Sequence, residues 1–129
     1  MNIKFLDLRK ILRIHQDQLE RYGGTPGLRS RELLESAVAV PMAGFGETYF
    51  HESHYLMAAA YLFHIVKNHP FLDGNKRVGA VAAGVFLKIN GIDLQADEDE
   101  FERLVLDVAE GKADKERIAE FFRANSIGM

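Results

Sequence analysis

A chain of 129 residues, 47% hydrophobic and 27% charged, has the length and apolar content of one compact domain with its own core, which excludes intrinsic disorder. Its formal net charge of −3 does not suit a protein that coats nucleic acid. With no cysteine, disulfides, thiolate nucleophiles and Cys-ligated zinc are excluded, and a cytoplasmic setting is the expectation.

In chain order, Lys4, Asp7, Arg9 and Lys10 are scattered among Ile3, Phe5, Leu6 and Leu8, a mixture that belongs to a fold and not to a signal peptide. Over residues 3–22, Phe5, Leu8, Leu12, His15 and Leu19 recur at spacings of three and four and predict a first helix, stopped by Gly23-Gly24. Thr25-Pro26-Gly27 is turn sequence. Ser30 caps a short second helix with Leu33, Leu34, Ala37 and Val38 facing inward, ended by the extended preference before Pro41. Residues 41–52 lack helical period and predict a flap, as a loop or small hairpin. Ser53 caps a long apolar helix near 54–68, and a second begins near Asn75 and runs to Asn90, with Gly91 closing it. Their apolar stretches, Tyr55 to Phe63 and Val78 to Leu87, are far shorter than the ~20 residues a membrane span needs, so both read as core helices. Asp97 and Glu100 have capping-box spacing for a helix through Glu110, Gly111 ends it, and Asp114 caps a last helix to about Ala124. The expectation is an all-α, compact, single-domain bundle of about six helices spanning 1–129.

Between the two most apolar helices lies His69-Pro70-Phe71-Leu72-Asp73-Gly74-Asn75-Lys76-Arg77, where charged residues crowd against the predicted core. A helix starting at Asn75 offers unpaired N–H groups and the positive end of its dipole. Gly74 lets a ligand approach the backbone, and Lys76 and Arg77 add two cations, which together describe an anion cradle suited to phosphates. Asp73 at its edge suits Mg²⁺, a cation that takes few carboxylates and completes its shell with phosphate oxygens and water. His69 supplies a base that works near neutral pH. Each piece alone has a plain structural role: Asp-Gly-Asn is turn sequence, Asn75 an N-cap, Lys-Arg a solvated first turn. Their crowding within nine residues is what points to phosphate chemistry, and spacing alone does not name the reaction.

The nine-residue segment resembles the signature loop of the Fic/Doc family, and specifically its death-on-curing toxin branch. The likeness extends to Ile14-His15, Gly23-Gly24, Gly27-Leu28-Arg29, Leu33-Leu34-Glu35-Ser36-Ala37, Asn90-Gly91 and Ile118-Ala119-Glu120. The resemblance implies a toxin of a type II toxin–antitoxin module that transfers a phosphate-bearing group from ATP, with Mg²⁺, to a protein hydroxyl. Under it, His69 matches the catalytic base, Phe71 the aromatic anchor of the loop, Asp73 the metal-holding acid, Gly74 and Asn75 the phosphate cradle and Arg77 a phosphate-binding arginine. AMP-transferring relatives have glycine where this chain has Lys76 and a further arginine where it has Ala80. Those departures imply that the terminal phosphoryl group is transferred, making the chain a protein kinase with a translation elongation factor as substrate class. The resemblance further implies a cognate antitoxin that docks through an amphipathic C-terminal helix, with Arg9, Lys10 and Arg13 available to pair with its acids. Neither direct nucleic-acid binding nor membrane association is expected. The alternatives are AMP transfer and a non-catalytic module that binds an anion or a peptide.

The other histidines do not form a metal motif, because His51-Glu52-Ser53-His54 lacks the i, i+4 spacing that brings two ligands to one helical face. His15 reads as a hydrogen-bonded core or pocket residue, and His51 and His54 as flap-lining or capping residues. Arg29 reads equally as a surface residue or one facing the site. Met42, Phe45, Tyr49 and Phe50 are loop anchors or an apolar strip able to receive a substrate backbone. Acidic residues 97–102 read as a helix start and a solvated face.

Overall fold

The computed structural model describes residues 2–129. Six helices follow one another: α1 Leu8–Tyr22, α2 Arg31–Ala39, α3 His54–Asn68, α4 Asn75–Ile89, α5 Glu98–Ala109 and α6 Lys115–Ala124. Side-chain oxygens begin five of them, with Asp7, Ser30, Ser53, Asp97 and Asp114 each accepting from a backbone N–H three residues on. The exception is α4, where Gly74 occupies the cap position and offers no side chain.

Helix α1 starts five residues later than its apolar spacing predicts. Two tethers hold the preceding segment extended. Tyr61 Oη accepts from Leu6 N at 2.9 Å and donates to Leu6 O at 3.1 Å. The Asn90 amide accepts from Lys4 N at 2.9 Å and donates to Lys4 O at 2.8 Å. Leu6 is buried by this arrangement.

Helices α3 and α4 form the centre. Ala58, Ala59 and Ala60 are completely buried, and a Cβ on Gly79 of α4 would lie 3.0 Å from Val66 Cγ2 and 3.2 Å from Leu62 Cδ1 on α3. Small residues on both sides therefore let the backbones approach closely, and Leu62, Ile65, Val78, Ala82, Phe86 and Leu87 complete the seam without solvent. The predicted flap is a 3₁₀ turn, Val40–Met42, followed by a hairpin of β1 Gly44–Phe45 and β2 Thr48–Tyr49. A second ribbon was not visible in the pattern: β3 Ile92–Leu94 pairs antiparallel with β4 Ser126–Gly128, tying the segment after α4 to the C-terminal residues. The domain is a bundle of six helices as expected, with the flap formed as a hairpin and the β3–β4 ribbon as the one addition among the described residues.

Candidate active site

The signature loop joins the C-terminus of α3 to the N-terminus of α4, and a left-handed residue marks each end. His69, with φ 52°, is the C-cap of α3 and the one described non-glycine residue with positive φ, while Gly74, with φ 84°, is the N-cap of α4. A left-handed histidine costs about 1–2 kcal/mol, so neighbouring bonds must hold it. Arg29 provides them, its Nε donating to His69 O at 2.6 Å and its Nη2 to Asn68 O at 2.8 Å. The guanidinium caps the negative end of α3 at the backbone of the residue that carries the imidazole. Pro70 O accepts from both Arg29 N and Ser30 N, so the loop is sewn to the start of α2 as well.

Inside the loop, Phe71 is the anchor. It is buried, stacked on His15 with ring centroids 3.9 Å apart and planes 9° from parallel. His15 Nε2 donates to Asp73 O at 2.9 Å, which fixes the tautomer and makes His15 a structural partner of the loop. Asn75 does not take the plain N-cap role that turn sequence allows it, since Gly74 occupies that position. Its buried amide closes a ring with one residue, accepting from Phe71 N and donating to Phe71 O, both at 2.9 Å. Its side chain is consumed by the loop, so Asn75 faces a ligand only through its backbone N–H.

Because Gly74 supplies no cap, the N–H groups of Asn75, Lys76 and Arg77 have no protein acceptor among the described residues, and the first bond of the helix is Val78 N to Gly74 O at 2.9 Å. Three free donors and the positive end of a fifteen-residue helix therefore face outward together. Asp73 stands beside them. Its Oδ2 accepts from Thr25 N at 3.0 Å and its Oδ1 from Gly74 N at 2.9 Å. Those bonds, Thr25 first and then Gly74, with the charges of Arg77 and His15, hold its carboxyl below the ordinary carboxylate range. An ionised, oriented carboxylate with lone pairs still open to solvent fits one ligand of a hard cation such as Mg²⁺. No group of three or more His, Asp or Glu gathers among the described residues, so a cation here would draw its other ligands from phosphate and water. A Cβ on Gly24 would lie 2.9 Å from Asp73 Oδ2, and φ there is 125°, so glycine at that position is what lets Thr25 reach the carboxylate.

His69, Asp73, Gly74, Asn75, Lys76 and Arg77 all line one cleft of about 870 Å³. Ala80 lines it one turn farther along α4, and the Arg77 guanidinium lies 5.0 Å from the centre of the Tyr22 ring at its rim. Several lining residues were invisible to the motif: Gln18 and Tyr22 of α1, Val66 and Lys67 of α3, and a full face of α5 that includes Glu98, Phe101 and Glu102. The apolar half of that face has helical spacing in the sequence, yet nothing in the sequence says which cleft it meets. Arg29, His51 and His54 do not line the cleft. His51 Nε2 and His64 Nε2 both lie 3.1 Å from Lys115 Nζ, a polar knot joining the end of the flap to α3 and α6. His54 is the first residue of α3, whose cap is Ser53.

Fold and site define a small helical domain that holds a histidine, an ionised aspartate and an uncapped helix N-terminus in a single cleft. The Fic/DOC family matches residues 5–87, so α1 to α4 with the flap and the signature loop carry the match, and the chain belongs to that family. It is 39% identical over 100 residues to "Toxin Doc" of Mycolicibacterium smegmatis, covering 76% of this chain and 77% of that protein. It is 25% identical over 121 residues to "Protein kinase doc" of Escherichia phage P1, covering 94% of each.

Proposed function

We propose that this chain is a Doc-type toxin acting in the cytoplasm, which transfers the terminal phosphoryl group of ATP to a hydroxyl of a protein target, a translation elongation factor, and so arrests growth. The observation that carries the reading is the uncapped N-terminus of α4, with its three free N–H groups beside His69 and Asp73 in one cleft. The kinase name of the phage relative and the toxin name of the mycobacterial one support it.

Phosphoryl transfer asks the protein mainly to position groups and to stabilise charge. The N–H groups of Asn75, Lys76 and Arg77, with the side-chain cations of the last two, bind and orient the phosphate chain. Mg²⁺ held at Asp73 would supply further neutralisation of phosphate oxygens. As the bond from the target oxygen to the γ-phosphorus forms, the bond to the β–γ bridging oxygen breaks and ADP departs with its electron pair. The hydroxyl proton passes to the His69 imidazole. Lys76 and Ala80 support this outcome over AMP transfer, because the cradle has a cation where a glycine would leave space and no second arginine to hold the triphosphate in the reverse sense.

The partner is an antitoxin whose amphipathic C-terminal helix docks on the toxin, with Arg9, Lys10 and Arg13, exposed and free of ion pairs among the described residues, available to its acidic groups. Expression of the wild type and of His69→Ala, with intact-mass analysis of cell proteins incubated with enzyme, ATP and Mg²⁺, tests the proposal. Growth arrest and a single added phosphoryl group, both lost in the variant, are expected. A nucleotide-sized addition, or harmless expression of folded wild type, overturns it.

A further inference from the structure

Away from the nucleotide cleft, Lys115 at the start of α6 sits in unusual company. Its Nζ lies 3.1 Å from His51 Nε2 at the end of the flap and 3.1 Å from His64 Nε2 on α3, and it makes no ion pair among the described residues. The third neighbour is the Phe63 ring, with its centroid 5.8 Å from Nζ. An ammonium has no lone pair, so both rings meet it as acceptors through Nε2 and carry their protons on Nδ1.

A lysine bonded to a carboxylate is held as an ammonium, and this one is not. The neutral amine still has two N–H groups, enough to keep both bonds to the rings, and its lone pair takes the remaining tetrahedral position. Deprotonation therefore breaks no hydrogen bond, and desolvation favours it, drawing the ammonium below the ordinary lysine range. Lys112 is the counter-case: bonded to Glu110 at 3.0 Å, it is held above that range. The two rings divide the proton work. Burial first, then the charges of Lys115 and His51, hold His64 down to about 4, so it stays neutral and serves as an acceptor. Burial and Lys115 also lower His51, but Glu116 on the first turn of α6 pulls the other way. His51 Nδ1 is buried without a partner, so no neighbour fixes the tautomer from that side and Nε2 can hold a lone pair or a proton.

Phe63 also lines a second cavity, of about 640 Å³, with Arg117, Lys112 and Lys67, the last shared with the nucleotide cleft. The carboxylate facing these cations is Asp114, which accepts from Arg117 N as the cap of α6. Positive charge in excess beside Phe63 suits a phosphate-bearing molecule.

We propose that Lys115 is an acylation site: its Nζ takes an acyl group from a phosphate-bearing activated donor, an acyl phosphate or an acyl-coenzyme A, with His51 as the proton acceptor. The ammonium first releases one proton to water. The amine lone pair then forms a bond to the acyl carbon, the bond from that carbon to the phosphate oxygen or thioester sulfur breaks, and phosphate or thiolate departs with its electron pair. The second proton passes to His51 Nε2. The amide product keeps one N–H and no charge, so the knot between flap, α3 and α6 loses one of its two bonds. None of this depends on the nucleotide reading.

The full chain is incubated with acetyl phosphate, with acetyl-CoA and with the uncharged p-nitrophenyl acetate, and peptide mass mapping follows acetyl occupancy at each lysine with time. With the phosphate-bearing donors, Lys115 should react about tenfold or more faster than the exposed Lys10 and Lys88, and the donor with the larger excess is the source. His51→Gln keeps an acceptor for Nζ but takes no proton, so the excess should fall severalfold. Arg117→Gln should lower it for the phosphate-bearing donors alone. Wild-type Lys115 reacting no faster than Lys10 and Lys88 with any donor overturns the proposal. An excess with p-nitrophenyl acetate alone overturns the donor class, and an undiminished excess in folded His51→Gln overturns the role of the histidine.

Discussion

Asn75→Ala tests how the signature loop is held. The Asn75 side chain is 4% exposed as a residue and makes the two 2.9 Å bonds that satisfy Phe71 N and Phe71 O, neither of which has another partner. Alanine is a good residue for the first turn of a helix, so propensity opposes the loss only weakly. The truncation removes two hydrogen bonds and strands a buried donor and a buried acceptor, each costing about 1–3 kcal/mol. A total of about 2–6 kcal/mol follows, a large share of the stability of a domain this size. At roughly 4 °C per kcal/mol, Tm should fall by about 8–24 °C. Asn75→Asp should recover only part of the loss, because a carboxylate accepts from Phe71 N but faces Phe71 O without a donor. Urea and thermal melts followed by circular dichroism measure both variants. A shift in Asn75→Ala equivalent to less than about 0.5 kcal/mol, the range of an unremarkable surface change, would refute the view that this amide fastens the loop.

Asp73→Asn should weaken Mg²⁺-dependent ATP binding and transfer together, since an amide is a poor ligand for a hard cation; unchanged magnesium dependence in calorimetry would remove Asp73 from the metal site. Lys76→Gly should lower phosphoryl transfer, and adding Ala80→Arg should promote nucleotidyl transfer; product mass checks this, and a single phosphate at undiminished rate in both variants counts against Lys76 as the residue that sets nucleotide direction. Arg29→Gln should reduce kcat about tenfold with little change in ATP affinity, because it releases the carbonyls that hold His69 left-handed, and Arg29→Lys should restore part of the rate; a parallel loss of nucleotide binding would show a general structural role instead. Desolvation, then the Lys115 charge, holds the His64 imidazole down to about 4 from an ordinary 6.5. The unfolded chain therefore binds a proton that the folded one refuses, so stability is full above pH 6.5 and falls as pH drops towards 4. His64→Gln should flatten that limb in denaturant titrations, and an identical slope would contradict the assignment.

Local rules made most of the helices legible. Ser30, Ser53, Asp97 and Asp114 cap where side-chain chemistry says they should, and Gly91 and Gly111 take left-handed conformations at helix ends. The late start of α1 was not legible, because it depends on Tyr61 and Asn90, more than fifty residues away, holding the chain at Lys4 and Leu6 extended. The β3–β4 ribbon escaped for the same reason: three-residue strands acquire meaning only from a partner distant in the chain. Within the site, seven residues of the nine-residue segment line one cleft, as its local crowding suggests. The ring of bonds between Asn75 and Phe71 was not legible, since it is a property of the folded loop. The α5 wall stayed hidden because Glu98 and Glu102 have the same spacing on a solvated helix as on the side of a cavity.

The central claim is transfer of the terminal phosphoryl group with His69 as base, and the direct measurement uses ATP labelled at either the γ- or the α-phosphorus. Purified chain, Mg²⁺ and a candidate elongation factor are incubated with each, for the wild type and for His69→Ala. Label from the γ position alone should reach protein with the wild type. His69→Ala should transfer almost none while binding ATP with nearly wild-type affinity. Label arriving from the α position, or wild-type transfer by the variant, would contradict the account.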